Sequence, residues 1–105
     1  MITVSVDTNV GAAYIELTGE PIVETVEVSP SVQVDITETG TIVGVELLSL
    51  TAELPIEVLD RKFSFPPLID AQTLSRIWGS FSYTTSTGQG QGQAYVSPVL
   101  QLQPA

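Results

Sequence analysis

Four acidic residues at matching places in the first half of the chain are its best candidates for chemistry. Asp7 and Asp35 each end an alternating apolar segment, and Glu16 and Glu46 each lie in the segment after the next turn. If these two units lay side by side, Glu16 and Glu46 could share one face of a sheet. Paired carboxylates bind Ca²⁺ or Mg²⁺ or act as general acid and base. A solvated acidic face, with the aspartates capping turns, explains the same pattern.

The sequence lacks the residues that the commonest catalytic centres need. It contains no Cys and no His, which excludes hydrolases with a His base and also excludes disulfides. The acidic residues do not follow the spacing of a metal-binding loop. We therefore predict no catalytic residue, no metal site, no cofactor and no enzymatic activity. Four residues remain as speculative polar-face positions: Tyr14, Glu16, Asp35 and Glu46.

Charge is distributed unevenly along the chain, whose formal net charge is −9. Residues 1–60 contain eleven acidic residues and no Lys or Arg, whereas residues 61–105 contain three basic residues and one acidic residue. An anionic first part repels phosphate backbones and anionic membrane surfaces, so we expect no nucleic-acid and no membrane partner. It would attract a basic protein partner and steer its association, although acidity also keeps a small domain in solution.

The elements that would position the acidic residues are strands. Apolar and polar residues alternate in five segments that are rich in β-branched residues, which is typical of half-buried strands. The segments are Ile2–Val6, Ala13–Leu17, Val26–Val28, Val32–Ile36 and Val43–Leu47. Short turns between them favour antiparallel neighbours, so we predict a five-stranded, mainly antiparallel meander with one apolar and one acidic face. Tyr14 would lie on the acidic face, where it could anchor a partner or pair across strands.

After the strands the pattern becomes helical, which makes the fold class α+β. Pro55 suits the first position of a short helix, and Asp70 is a good N-cap for a second one. The second helix would run near residues 70–79 and end at Gly79. Its apolar stripe consists of Leu74, Ile77, Trp78 and Phe81. This helix would cover the apolar face of the sheet, because such a face must be buried against another element.

The domain organisation follows from a change in composition near residue 84. Residues 1–83 are predicted to form one sheet-plus-helix domain, and 84–105 a Gly/Gln-rich linker followed by an extended arm. Pro98 restricts the arm to an edge strand or irregular segment, which would lie against its own sheet or a neighbouring copy. The apolar fraction is 43%, and one short helix would leave apolar sheet surface uncovered, so we expect a homo-oligomer as the alternative to a basic partner.

Location is inferred from segments that the sequence does not contain. No apolar run approaches the roughly 20 residues that span a bilayer. The first ten residues have no basic region and no long apolar stretch, unlike a signal peptide. The sequence therefore predicts a cytoplasmic protein.

The first half of the chain also resembles a known family. Asp7 is followed, in order and with matching spacing, by AAYIEL (Ala12–Leu17), ETVEV (Glu24–Val28), VQVD (Val32–Asp35) and GTIVGVELL (Gly40–Leu48). These stretches are similar to the bacterial domain-of-unknown-function family 2283 over about residues 2–50. Glu16 stands where that family often has Arg or Lys. The resemblance implies a small β-rich module with no assigned activity and, because toxin-like genes often accompany its members, an antitoxin-like role.

These observations favour one function and leave two alternatives. The favoured function is a non-enzymatic protein-binding or self-assembling module. The first alternative is an antitoxin-like neutraliser of a basic partner. The second is a metal-binding enzyme that depends on the carboxylates of Glu16 and Glu46.

Overall fold

All five alternating segments form strands of one sheet, because their alternation lets one face be buried. The computed structural model describes residues 2–87 and 92–96, and the side chains of residues 2–80. The strands are β1 (Ile2–Asp7), β2 (Ala12–Glu16), β3 (Glu24–Ser29), β4 (Val32–Ile36) and β5 (Ile42–Leu47), followed by helices α1 (Ile56–Lys62) and α2 (Ala71–Thr87) and by a further strand, β6 (Gly92–Val96). The predicted α+β fold is confirmed.

The strands lie side by side in the order β3-β4-β5-β2-β1-β6, and each neighbouring pair is antiparallel. The predicted antiparallel sheet is therefore present. The strand order adds that the β1–β2 hairpin and the β3–β4–β5 meander join through β2 and β5. The connection of residues 17–23 carries the chain from β2 to the far edge of the sheet. This brings the two acidic units of the sequence next to each other.

The core lies on one face of the sheet. Val4, Ile15, Val45 and Val34 are successive partners across β1, β2, β5 and β4, and each is fully buried. β4 pairs regularly with β5 from Val32 to Asp35, and the register shifts between Asp35 and Ile36. Burying such side chains supplies about 1.5–3 kcal/mol each relative to an exposed position, so this row is a main source of stability.

Both helices contribute to this core. Leu59 of α1 and Leu74, Ile77 and Trp78 of α2 belong to the same buried cluster as the strand residues. The indole Nε1–H of Trp78 donates a hydrogen bond of 2.8 Å to the carbonyl of Ala52. The partner satisfies the polar atom that the buried indole carries.

Asp70 begins α2 as the sequence predicts. Its Oδ1 accepts the backbone N–H of Thr73 at 2.8 Å, which satisfies one of the donors left free at a helix start. This backbone hydrogen bond is the largest cause of the lowered pKa of Asp70, and a hydrogen bond from the side chain of Thr73 is the next largest.

The predicted end of α2 at Gly79 is wrong, because the helix continues to Thr87. Residues 84–87, which the composition assigns to a linker, are therefore helical. Gly79 is exposed and has open space around its Cα. A glycine inside a helix costs only about 1 kcal/mol relative to alanine, so a single glycine does not by itself end a helix. Pro55 likewise lies at the N-cap of α1, one residue before its predicted position.

The start of the predicted arm forms β6, which pairs with β1 at the edge of the sheet. Ile2 faces Val96 in this pairing, and Val6 faces Gly92. Pro98 and the rest of the predicted arm lie outside the described residues. Within the described part, neither helix has the length and apolar character needed to cross a bilayer.

Candidate functional site

The face of the sheet opposite the core carries the candidate site, and we call it the outer face. Two rows of cross-strand partners from β1 to β3 define it. One row is Thr3, Glu16, Gly44, Asp35 and Thr25, and the other is Ser5, Tyr14, Glu46, Gln33 and Glu27. Apart from Gly44, these residues are half-buried or exposed. The outer face is therefore an accessible polar surface with four carboxylates.

A tyrosine lies across the middle of this face. Tyr14 on β2 reaches diagonally over Gly44 on β5, and its hydroxyl donates a 2.7 Å hydrogen bond to Asp35 Oδ2 on β4. A Cβ atom at position 44 would clash with the Tyr14 hydroxyl and ring. Glycine in a strand interior often marks such a close approach. The Tyr14 ring can cross β5 only because residue 44 has no side chain.

The same carboxylate has a second partner from the edge strand. The hydroxyl of Thr25 on β3 donates a hydrogen bond to Asp35 Oδ1. Thr25 and Asp35 are direct cross-strand partners. Both oxygens of Asp35 are thus engaged, which fixes the orientation of the carboxylate and connects β2, β4 and β3 on the outer face.

The surroundings of Tyr14 keep its hydroxyl protonated. Burial is the largest cause of a raised pKa, followed by the hydrogen bond to Asp35 and by the negative charges of Asp35, Glu16 and Glu46. Each of these disfavours the phenolate. At neutral pH, Tyr14 therefore acts as a hydrogen-bond donor and supplies no base for proton abstraction.

The structure brings the four speculative positions together. Glu46 is the direct partner of Tyr14, and Glu16 is the direct partner of Gly44, so the two glutamates lie diagonally across β2 and β5. Tyr14 makes the cross-strand contact that was one of its two predicted roles, and it joins Asp35 to this group.

Asp7 lies apart from that group. Its Oδ1 accepts the backbone N–H groups of Asn9 at 3.0 Å and Val10 at 3.3 Å, which makes it a turn-capping residue. This matches the predicted structural role of the aspartates. Asp7 and Asp35 occupy matching places in the sequence but have different roles, because Asp35 contacts side chains of the outer face instead of capping a turn.

Thr25 and Gly44, which contact Asp35 and Tyr14 at the centre of the outer face, were not recognised from the sequence. Thr25 is one of many threonines, and no local pattern distinguishes it. Gly44 did carry a signal, since it interrupts an alternating strand where a side chain would be expected. In the two similar sequence units, Gly44 of the second unit corresponds to Tyr14 of the first. The large Tyr14 side chain thus packs on the glycine at the corresponding position of the other unit.

The outer-face carboxylates are spread rather than gathered. Among the residues that the structure describes, no three Asp or Glu side chains come together as a set that could hold a metal ion. Both Asp35 oxygens already accept hydrogen bonds. The described part of the face thus offers charge and hydrogen-bond acceptors to a large ligand, and does not form a compact metal centre.

Comparison with known proteins finds a family match that covers β1 to β5 and stops before both helices and β6. The model of the family described as "Protein of unknown function (DUF2283)" matches residues 3–50, which include Tyr14, Glu16, Thr25, Asp35, Gly44 and Glu46. No curated protein and no solved structure matches the chain. Both helices lie beyond the matched residues. The resemblance to the DUF2283 family of proteins of unknown function is therefore confirmed over residues 3–50, and the rest of the chain lies outside the match.

Proposed function

We propose that this protein is a non-enzymatic module that binds a basic protein partner on the outer face of its sheet. The observation that carries the proposal is the division of the sheet into two faces. The helices cover the apolar face, and the opposite face carries Glu16, Glu27, Asp35 and Glu46. All five of β1 to β5 lie in the part of the chain without Lys or Arg, so no cation on these strands neutralises that face.

The basic residues belong to the other layer of the fold. Arg61 and Lys62 end α1, and Arg76 lies on α2. Residues 51–80 contain these three basic residues and four acidic ones, so the helical side is close to neutral, whereas the charged residues of β1 to β5 are all acidic. A cationic partner would therefore be attracted more strongly to the sheet than to the helical side, which favours one orientation of approach.

The hydrogen-bonded centre of the face supports binding over catalysis. Tyr14 is held protonated, and Asp35 is oriented by two donors. Groups that are fixed before association lose little conformational freedom when a ligand arrives. A rigid anionic surface of this kind suits the guanidinium and ammonium groups of a protein.

Self-assembly has less support than binding. Most apolar strand residues lie beneath the helices, so the uncovered apolar sheet surface that motivated a homo-oligomer is not found in the described part of the chain. The large exposed apolar residues there are Val10, Ile22, Val23, Leu48 and Leu68. They are dispersed along the sequence, apart from the pair Ile22 and Val23.

The proposal is tested by comparing partners captured by three forms of the full chain. The test variant is Glu16→Gln/Glu46→Gln on the outer face. The matched control is Glu53→Gln/Glu57→Gln, which removes two exposed charges before and within α1. We expect wild type and control to retain a common basic protein from the native host and the outer-face variant to lose it. Equal retention by all three forms would overturn the proposal.

The identity of the retained protein separates the proposed role from its alternative. A toxin encoded beside this gene would make the module an antitoxin-like neutraliser. A different basic protein would make it a binding module of another process. In both cases the outer face is the surface whose charges the binding requires.

A further inference from the structure

Within the described part of the chain, the edge of the sheet formed by β3 has no neighbouring strand. β3 pairs with β4 on one side, and no strand of the described residues pairs with its other side. The opposite edge differs, because β6 continues the sheet beyond β1. An unpaired edge presents backbone N–H and C=O groups to any extended chain that approaches it.

The register shows which backbone groups of β3 face outward. The N–H of Leu48 donates to the carbonyl of Ser31 at 2.8 Å, so the neighbouring pair Val32–Leu47 is a non-hydrogen-bonded pair. In an antiparallel sheet, the N–H and C=O groups of successive residues point to opposite sides of the strand. Those of Val34 therefore point toward β3, where its partner is Val26. It follows that Thr25 and Glu27, on either side of Val26, direct their backbone groups toward the open edge.

The side chains along β3 separate into two kinds. Glu27 and Thr25 lie on the outer face beside Gln33 and Asp35. Val26 and Val28 lie partly buried against the core. A strand added to this edge would therefore meet acidic and polar groups on one face and apolar groups on the other.

The start of β3 adds a place for a charged side chain. A depression of about 250 Å³ opens there, lined by Glu20, Pro21, Val23, Thr37, Glu38 and Thr39. The carboxylates of Glu20 and Glu38 border this depression. Ile22 and Val23, the two residues just before β3, are 51% and 64% exposed. The depression and the edge thus share the same acidic and apolar character.

A second copy of the chain does not fit this edge. Antiparallel pairing of two β3 strands would bring Glu24 and Glu27 of both copies onto adjacent strands, and all four side chains are exposed. Like charges on paired strands are unfavourable, and charged residues on an edge are a common protection against self-pairing. The same charges favour a strand that carries cations.

We propose that β3 accepts an extended segment of the basic partner as an additional antiparallel strand, in which basic and apolar residues alternate. This inference rests on the proposed function, since it specifies how the partner of the outer face is held. The basic side chains would lie over Glu27 and Asp35, and the apolar ones beside Val26 and Val28. Backbone hydrogen bonds to Thr25 and Glu27 would supply affinity, and the alternation would supply specificity.

Three synthetic peptides test the proposal on the full chain. The first alternates Val and Lys over nine residues. The second has the same sequence with N-methylated lysines, and the third has N-methylated valines. Lysines over the outer face would be opposite Thr25 and Glu27, so their N–H groups would point at β3. The valine N–H groups would point away from it, which makes the third peptide a matched control.

We expect methylation of the lysines to weaken binding at least about tenfold relative to methylation of the valines, because two or more backbone hydrogen bonds are lost. Equal binding by all three peptides would overturn strand addition but leave the anionic face as a binding surface. Failure of all three to bind would also overturn strand addition. The proposed function would then be judged by the capture experiment with the Glu16 and Glu46 variant.

Discussion

Replacing Gly44 by alanine should disrupt the centre of the outer face, because the new methyl group clashes with Tyr14. The ring must move, and its hydroxyl then loses Asp35, a charged acceptor now at 2.7 Å. Losing a hydrogen bond to a charged group costs roughly 1.5–3 kcal/mol, and overpacking costs roughly 1–3 kcal/mol. Alanine also increases the free energy of unfolding by about 0.5–1 kcal/mol, since it restricts the unfolded chain more than glycine does. The free energy of unfolding should therefore fall by about 2–5 kcal/mol.

A double-mutant cycle measured by urea unfolding isolates this contact. In a Tyr14→Ala background the obstruction is gone, so Gly44→Ala should be neutral or should stabilise the protein by up to about 1 kcal/mol. Gly19→Ala is the matched control, because that glycine is exposed and has open space around it, and it should change stability by no more than about 0.5 kcal/mol. The reasoning is refuted if Gly44→Ala destabilises the protein equally with and without the Tyr14 ring, or if it costs less than about 1 kcal/mol with the ring present.

Three further predictions concern Tyr14, Trp78 and the backbone of β3. The folded state raises the pKa of Tyr14 above its ordinary value of 10.0. The stability that the protonated Tyr14 hydroxyl contributes is therefore complete below pH 10 and is lost as the pH rises further. The free energy of unfolding measured against pH should show this loss in the wild type and not in Tyr14→Phe. Trp78→Phe removes the donor to Ala52 and should cost about 1–3 kcal/mol by urea unfolding, since the half-buried Ala52 carbonyl loses its partner; a cost near zero would contradict that role for the indole. Val26→Pro removes a hydrogen bond between β3 and β4, whereas the N–H that Glu27→Pro removes faces the open edge, so Val26→Pro should have the much lower melting temperature. Equal melting temperatures would show that the backbone groups of β3 have been assigned to the wrong sides of the strand.

The sequence was a good guide to what depends on neighbouring residues. Alternation predicted that Val4, Ile15, Val34 and Val45 face the core, because side chains in a strand point to opposite faces in turn. Asp70 was recognised as an N-cap, since its carboxylate needs only the backbone N–H groups of the next turn.

Features that depend on distant segments could not be predicted in the same way. Nothing local states that β2 lies next to β5, so the contact between Tyr14 and Gly44 emerges only from the strand order. Thr25 became part of the site for the same reason, through its register with Asp35. The end of α2 was misjudged because a single glycine weakens a helix without necessarily ending it.

The central claim is that a basic partner binds the outer face and the open edge of β3. Backbone amide shifts of the ¹⁵N-labelled full chain, titrated with the Val/Lys peptide, test it most directly. We expect the largest shifts at Thr25, Glu27 and Asp35, with little change in α1 and α2. Shifts confined to the helices, or no saturable shifts at any peptide concentration, would contradict the account.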